Sequence, residues 1–253
     1  MFSRYLKKLL ELGYDVTFAC SPELKSFFKL FPDLDKIKIT SSISVDTYFD
    51  YRVFLMSLPW VLSKYQKERI KRPLQIDLER LKKSKIDLPK TLETKINSKK
   101  LKVGIAWSGN PKHARDYCRS IKLELLGDIF KNSNVDFYVL QKVYNKDDAK
   151  NLKKFKNVYN LTDHLNNFMD TAHLIEKMDI IFTIDTSLLH VAGTMNKKTY
   201  LFLPKVPDYR WGLKETQDWY PSVNLLKQKE VDDWNYPLEK CDKIIKDTLS
   251  SSS

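Results

Sequence analysis

Cysteine is scarce in this chain, and the signals for membrane insertion and secretion are missing. Only three cysteines occur in 253 residues, widely separated at Cys20, Cys118 and Cys241. An odd number of distant cysteines argues against a disulfide framework and against a zinc site. No apolar run approaches the roughly 18 residues that a membrane helix needs, and residues 1–10 are amphipathic rather than built like a signal peptide. These absences favour a cytoplasmic protein.

Positive charge is abundant: 44 lysine and arginine residues face 32 acidic ones, a formal charge of +12. Nucleic acid, an anionic lipid surface and phosphorylated small molecules are all compatible with this charge. The lysines are spread along the chain, with one dense patch at residues 82–102, and no RNA-binding signature, zinc finger or basic helix accompanies them. We therefore expect no specific nucleic-acid partner, and we keep peripheral association with the inner membrane's anionic surface as an expectation.

Residues 103–227 alternate short apolar runs with helical patterns. This alternation predicts a parallel sheet with right-handed crossovers, which is a Rossmann-like arrangement. The predicted strands are 103–107, 135–140, 158–161, 180–184, 199–203 and 224–226. The predicted helices are 123–130, 146–155, 170–177 and 187–196.

The first hundred residues predict a smaller α/β domain, followed by a lysine-rich connection at 80–102. Its predicted elements are a helix at 3–12, a strand at 16–19, a helix at 23–31, a strand at 36–39, and a strand and helix within 51–62. We divide the chain accordingly into an N-terminal domain with its connector (1–98), a Rossmann-like domain (99–235), and a C-terminal helix and tail (236–253).

A polar turn follows the apolar run 180–184 and opens a helix. Asp185, Thr186 and Ser187 fall at this junction, where unpaired backbone N–H groups point outward. Such a turn suits an anion, and ligands sit at the carboxyl ends of strands in open parallel sheets. His190 follows on the same helix, either as a ligand contact or as a histidine satisfied within the core.

Polar residues follow other predicted strands as well. Ser108, Gly109 and Asn110 form a tight turn after the first strand, where the backbone can approach a ligand closely. Arg119 follows at short range and suits bidentate contact with a diphosphate. Each feature has an ordinary alternative, namely a plain turn or a solvated surface charge. Their agreement at one sheet edge favours a binding site.

Two further strands end in the same way. Gln141 and Lys142 directly follow the second strand, where lysine suits phosphate and glutamine can contact a base or a sugar hydroxyl. Arg210 lies in a proline-stiffened aromatic loop, residues 203–211, after the fifth strand. The aromatic residues of that loop either stack on a ligand ring or cover the end of the sheet.

Six motifs in this order resemble glycosyltransferase family 9, and most of all its heptosyltransferase-like members, which are often fused to tetratricopeptide repeats. The resemblance extends from residue 103 to about residue 228. The motifs are residues 104–111, 119–121, 140–142, 170–172, 185–187 with His190, and 207–211.

The resemblance implies a GT-B architecture, an α/β fold of two Rossmann-like domains with parallel sheets, the N-terminal one incomplete here. It implies inverting transfer of a sugar from a nucleotide-diphosphate sugar to a hydroxyl of a surface glycan, lipid-linked or protein acceptor, with no metal and no cofactor. The first-strand turn would line the diphosphate, and the later motifs would hold the nucleoside and sugar. The expected donor-binding residues are Ser108, Gly109, Asn110, Arg119, Gln141, Lys142, Asp185, Thr186, Ser187, His190 and Arg210.

The beginning of the chain departs from the family pattern. In the family, a strand and a glycine-rich loop ending in an acidic general base precede the first helix, whereas residues 1–6 here resemble the interior of that helix. We therefore assign no catalytic residue and expect an N-terminally truncated family member. A catalytically inactive nucleotide-sugar-binding fragment is the alternative. A third interpretation, a basic nucleic-acid-binding protein, depends on net charge alone.

Overall fold

The computed structural model describes residues 1–65, 68–143 and 146–251 as an α/β structure with two parallel sheets. The strands are β1 (Thr17–Ala19), β2 (Lys38–Thr40), β3 (Leu101–Ala106), β4 (Val135–Val139), β5 (Val158–Asn160), β6 (Ile180–Ile184), β7 (Thr199–Leu203) and β8 (Val223–Lys227). The helices are α1 (Arg4–Glu11), α2 (Pro22–Phe28), α3 (Leu58–Val61), α4 (Leu78–Lys83), α5 (Lys90–Ile96), α6 (Asp116–Arg119), α7 (Gly127–Phe130), α8 (Lys146–Leu152), α9 (Phe168–Lys177), α10 (Ser187–Thr194) and α11 (Asn235–Ser251).

The larger sheet has the strand order β5-β4-β3-β6-β7-β8, and all of its neighbouring strands are parallel. Strands β4 and β5 are added in turn on one side of β3, and strands β6, β7 and β8 are then added in turn on its other side. This is the doubly wound order, in which the direction of winding reverses between β3 and β6. Strands β4 and β6 are buried along their whole length, as strands covered on both faces must be. The predicted α/β class with parallel sheets is confirmed.

The N-terminal part packs directly against the larger sheet's helices. Its own sheet pairs β1 with β2 in parallel, and α2 packs on α9 of the larger part. One apolar core joins Phe28 and Leu34 of the N-terminal part to Ala172 and Ile181 of the larger part. The predicted division at residue 98 stays a prediction. Over the described ranges, no helix has the length and apolar character to cross a bilayer.

Two local predictions were wrong, and proline explains both. The helix predicted at 23–31 ends at Phe28, because the ring of Pro32 clashes with the carbonyl four residues earlier. The strand predicted within 51–62 is not formed. That run instead enters a 3₁₀ turn at Leu55–Ser57 and then α3, where Pro59 stands in the first turn.

One other segment also differs from the prediction. The helix predicted at 123–130 is a 3₁₀ turn, Leu123–Leu126, continued by α7. The lysine-rich connection, expected to contain a helical stretch, has two short helices, α4 and α5. The remaining predicted elements are present with small shifts of their ends, except that α8 stops at Leu152 rather than at 155.

A close approach fixes the position of α10 against the end of the sheet. A Cβ added at Gly193 would lie 2.5 Å from Cγ of Tyr220, whose ring is fully buried. We expect Gly193→Ala to lower the free energy of unfolding by about 1–3 kcal/mol, because a packed ring has no room to retreat. Gly127→Ala is the matched control, since its Cβ would meet only Phe155 at 3.9 Å. Thermal unfolding that shows equal losses for the two variants would contradict this account.

Candidate active site

The candidate site lies where the winding of the larger sheet reverses. The turn after β3, which contains Ser108 and Gly109, emerges beside Asp185, the first residue after β6. Because β3 and β6 are neighbours whose following chains leave in opposite directions, a crevice opens between these two turns. The tertiary fold therefore brings the turn after β3 next to the start of α10.

Gln141 shapes the turn after β3. Its side-chain Oε1 accepts hydrogen bonds from the backbone N–H of Trp107 (2.7 Å) and Ser108 (3.1 Å), and its Nε2 donates to Oγ of Ser108 (2.9 Å). Only 5% of Gln141 is exposed. Both ends of the amide are thus used within the protein, and Gln141 braces the turn. Its predicted contact with a nucleoside stays a prediction.

Arg119 reaches across this turn to the neighbouring strand. Its Nη1 donates to the backbone carbonyl of Asp185 (2.7 Å), and its Nε donates to Oδ1 of Asp116 (3.0 Å). The guanidinium passes so close to Gly109 that a Cβ there would overlap Nη2. Across residues 1–65, 68–143 and 146–251, Nη2 itself makes no hydrogen bond. Arg119 is therefore held in place by Nε and Nη1, with Nη2 available to an anionic ligand.

Arg210 forms the centre of the charged network. Its Nη2 donates to Oδ2 of Asp185 (2.9 Å), and its Nε donates to Oδ1 of Asp208 (2.6 Å). Asp185 is buried, and burial raises the pKa of its carboxyl while the Arg210 cation opposes that rise. Two carboxylates and one arginine therefore form a compact, partly desolvated ionic group at the end of β6 and in the loop after β7.

His190 is a partner within this network. Its Nδ1 lies 3.1 Å from Oη of Tyr220, and its Nε2 lies 3.3 Å from Nη1 of Arg210. Because arginine only donates, Nε2 accepts and the ring proton resides on Nδ1. Burial holds the pKa of His190 well below its usual value, and the Arg210 cation lowers it further. The ring is thus neutral and hydrogen-bonded within the protein, and its predicted contact with a ligand stays a prediction.

The remaining predicted residues lie around this network at differing distances. Thr186 is the N-cap of α10 but makes no side-chain capping bond, and Ser187 in the first turn of the helix is exposed. Lys142 is exposed one strand away, with Nζ 3.5 Å from the carbonyl of Thr162. Asn110 is exposed and caps its own turn, accepting from the N–H of Lys112.

Two cavities meet at Arg210. The smaller has a volume of about 40 Å³ and is bordered by Arg119, Asp185, Asp208 and Arg210. The larger is a groove of about 480 Å³ between the N-terminal part and the larger part. Small-molecule sites usually measure about 300–1,000 Å³, so the groove has room for a ligand and the smaller cavity does not. The groove is lined by residues that include Phe2, Tyr5, Met56, Trp60, Arg69, Tyr209, Arg210 and Trp219.

Sequence reasoning missed the carboxylates that orient the two arginines, and it missed Tyr220 as the partner of His190. Asp116 precedes Arg119 by three positions, and Asp208 precedes Arg210 by two. An acidic residue at such short spacing was a usable signal, since it lies within reach of the arginine in a helix or a tight turn. The contact between Tyr220 and His190 spans 30 positions and left no such signal.

The neutral state of His190 predicts a pH dependence of stability. Below about pH 6.5, the ordinary histidine pKa, the unfolded chain takes up a proton at this residue while the folded chain, with its lowered pKa, does not. The stability that the neutral His190 contributes is therefore fully present above pH 6.5 and decreases as the pH is lowered, by up to about 1.4 kcal/mol per pH unit. In His190→Gln, the free energy of unfolding measured in urea is expected to decrease less steeply between pH 6.5 and pH 5. His173, whose pKa burial also lowers, keeps its contribution in both chains. Equal slopes would refute the neutral assignment.

A doubly wound parallel sheet, with its site at the winding reversal and a smaller α/β part across a groove, defines the GT-B class of architecture. Within that class the chain has the heptosyltransferase fold. It superposes on the E. coli ADP-heptose lipopolysaccharide heptosyltransferase II with a TM-score of 0.57 and 11% identity, covering 98% of this chain and 95% of that one. No protein-family model and no curated protein matches the chain.

Two weaker structural similarities accompany this one. A glycosyl transferase of family 9 from Veillonella parvula DSM 2008 has a TM-score of 0.49 and 10% identity, covering 100% of this chain and 79% of that one. The E. coli heptosyltransferase WaaC with ADP has a TM-score of 0.43 and 11% identity, covering 86% of this chain and 61% of that one.

Proposed function

We propose that this chain is a glycosyltransferase that transfers a sugar from a nucleotide-diphosphate sugar to a hydroxyl of a surface-glycan or lipopolysaccharide-type acceptor. One observation carries the proposal: at the winding reversal of the sheet, Arg119 contacts the backbone of Asp185, two residues before α10 begins. A diphosphate needs positive charge and N–H donors, and this crevice supplies both. The heptosyltransferase fold supports the same activity.

The proposed chemistry is inverting transfer without a metal or a resident cofactor. When the bond between sugar and diphosphate breaks, negative charge grows on the leaving diphosphate. Fixed cations and helix N–H groups stabilise such charge most strongly where water is excluded. In this proposal Arg119 and α10 act on the leaving group, while Asp185 and Arg210 hold the sugar. We assign the general base to no residue.

Entry of a donor requires the loop after β7 to move. The cavity bordered by Arg119 and Asp185 measures about 40 Å³, and the ion pair between Arg210 and Asp185 closes it on the side of the groove. In our proposal the diphosphate binds Arg119, and the loop that carries Asp208 and Arg210 shifts toward the groove. The sugar would then reach the groove, where an acceptor has room. We also propose that the chain works in the cytoplasm, in keeping with its three free cysteines.

The direct test is isothermal titration of the purified chain with ADP, UDP and GDP at moderate salt. Saturable binding of one of them, at one site per chain, is the expected result and would identify the nucleotide of the donor. If the folded chain binds none of the three nucleotides, the proposal is overturned. Sugar release from the matching nucleotide sugar then separates the enzyme from the inactive nucleotide-sugar-binding alternative, which predicts binding without turnover.

A further inference from the structure

Exposed apolar side chains are concentrated in one segment of the N-terminal part. Of the nineteen large apolar side chains that are exposed among the described residues, ten fall between positions 43 and 65, which we call the aromatic segment. A contiguous exposed apolar patch on a folded protein usually marks an interaction surface. The exposed members are Ile43, Val45, Tyr48, Tyr51, Val53, Phe54, Met56, Trp60, Val61 and Tyr65.

The C-terminal end of the aromatic segment packs against the protein beneath it. Leu58 and Leu62 are each only 2% exposed and belong to the core that also contains Phe28 and Phe31. In contrast, Phe54 and Trp60 are more than three-quarters exposed. The outward position of Trp60 is therefore set by the packed inner face of α3, whereas positions 41–54 contribute no buried residue. Tyrosine and tryptophan with an apolar body and a polar tip are the residues enriched where hydrocarbon meets water.

A basic stretch follows the aromatic segment directly. The sequence from 64 to 72 reads Lys-Tyr-Gln-Lys-Glu-Arg-Ile-Lys-Arg, with five basic residues and one acidic residue. The side chains of Lys64, Lys71 and Arg72 are exposed. The whole chain carries a formal charge of +12. Clustered basic residues beside interfacial aromatic side chains complement a surface of anionic lipid headgroups.

We propose that the aromatic segment and the exposed basic residues Lys64, Lys71 and Arg72 form a docking surface for an anionic lipid bilayer. The rings of Tyr48, Tyr51 and Phe54 enter the headgroup region, while the basic side chains contact lipid phosphates. Trp60 lies at the junction, on the aromatic segment and on the rim of the groove. The docked chain therefore turns the mouth of its groove toward the bilayer. The orientation of the groove matters only under the proposed function, because it would bring a lipid-linked acceptor to the groove. The docking itself does not depend on the proposed function.

Tryptophan fluorescence offers a direct measurement. Of the five tryptophans, Trp60 is 80% exposed, and the other four, at positions 107, 211, 219 and 234, are all buried. Vesicles of phosphatidylglycerol and phosphatidylcholine in equal parts are expected to shift the emission to the blue. Brominated lipid in the same vesicles is expected to quench it. The variant Trp60→Phe should still float with the vesicles but lose both signals, which assigns them to this residue.

Vesicle flotation of matched variants tests the surface itself. Tyr48→Ser/Tyr51→Ser/Phe54→Ser is expected to bind vesicles at least about tenfold more weakly, because membrane binding scales with buried apolar area. The control Leu213→Ser/Val231→Ser, which removes exposed apolar residues elsewhere, should bind like the parent chain.

The charges are tested with Lys71→Gln/Arg72→Gln, which should lose about fivefold in binding for each charge removed. That loss should be absent with vesicles of phosphatidylcholine alone. Equal flotation of parent and aromatic variant overturns the proposal, as does concentration-dependent dimerisation through the aromatic segment without vesicle binding. Nucleoside diphosphate titration without vesicles should be unchanged in the aromatic variant, so this proposal and the proposed function fail separately.

Discussion

Arg119→Ala is expected to weaken binding of the nucleoside diphosphate by about 1.5–3 kcal/mol, the range for hydrogen bonds to a charged group. That corresponds to roughly tenfold to 150-fold in the dissociation constant. The effect should be large because two of its nitrogens already hold the guanidinium in place, on Asp185 and Asp116. A preorganised cation loses little freedom when the ligand arrives. Calorimetric titration of the parent and the variant measures the difference.

Gly109→Ala provides an independent route to the same result. Its Cβ would displace Nη2 of Arg119 and Oδ1 of Asp116, both at the far ends of flexible side chains. We therefore expect a stability change within about 1 kcal/mol, together with a loss of nucleotide affinity close to that of Arg119→Ala. The double variant should lose scarcely more than either single one, since both act on one interaction. Additive losses would show that the turn and the arginine act separately.

A remote arginine supplies the control for this set. Arg80 pairs with Asp35 on the N-terminal part, away from the crevice, so Arg80→Ala should leave nucleotide affinity unchanged. A comparable loss from Arg80→Ala would indicate that general charge, rather than a site at Arg119, drives binding. Salt dependence gives the same distinction, because a diffuse electrostatic attraction is screened more strongly than a partly buried contact.

Arg4→Met is expected to have the largest effect on stability, about 3–4 kcal/mol. Arg4 is only 2% exposed, and its guanidinium donates to the carbonyls of Ile70 (3.1 Å), Lys71 (2.6 Å) and Trp219 (2.8 Å). It also lies over the rings of Trp219 and Tyr220. Methionine preserves most of the apolar stem but leaves the buried carbonyl of Trp219 and the partly buried carbonyls of Ile70 and Lys71 without this donor; an unsatisfied buried group costs about 1–3 kcal/mol. Urea unfolding measures the change.

The same substitution at an exposed position isolates the cause. Arg52→Met removes an arginine that donates to the carbonyl of Thr47 at the surface, and it should change stability by less than about 0.5 kcal/mol. If Arg4→Met lowered stability as little as Arg52→Met, the contact of α1 with residues 70–71 and with the loop before β8 would not depend on this guanidinium. Arg4→Lys should recover little, because an ammonium cannot match the planar fork that serves several carbonyls at once.

Much of the larger part was readable from local pattern. The apolar runs that became β3, β4, β6 and β7 were each followed in the sequence by polar residues, and the structure gathers most of those residues at one edge. The pattern failed at residues 51–62, where an apolar and aromatic run resembles a buried strand but lies largely at the surface. Hydrophobicity alone cannot distinguish a side chain that faces the core from one that faces a partner outside the chain.

The sequence by itself determined the α/β class, the parallel sheet and the polar strand ends, because these depend on periodicity and on short-range turn chemistry. Tertiary structure alone decided that Arg210 joins Asp185 to His190, that Gln141 braces a turn, and that Arg4 clamps distant carbonyls. Each of these contacts joins residues at least 20 positions apart, and its partner is chosen by packing. The spacing of residues along a chain carries no record of that choice.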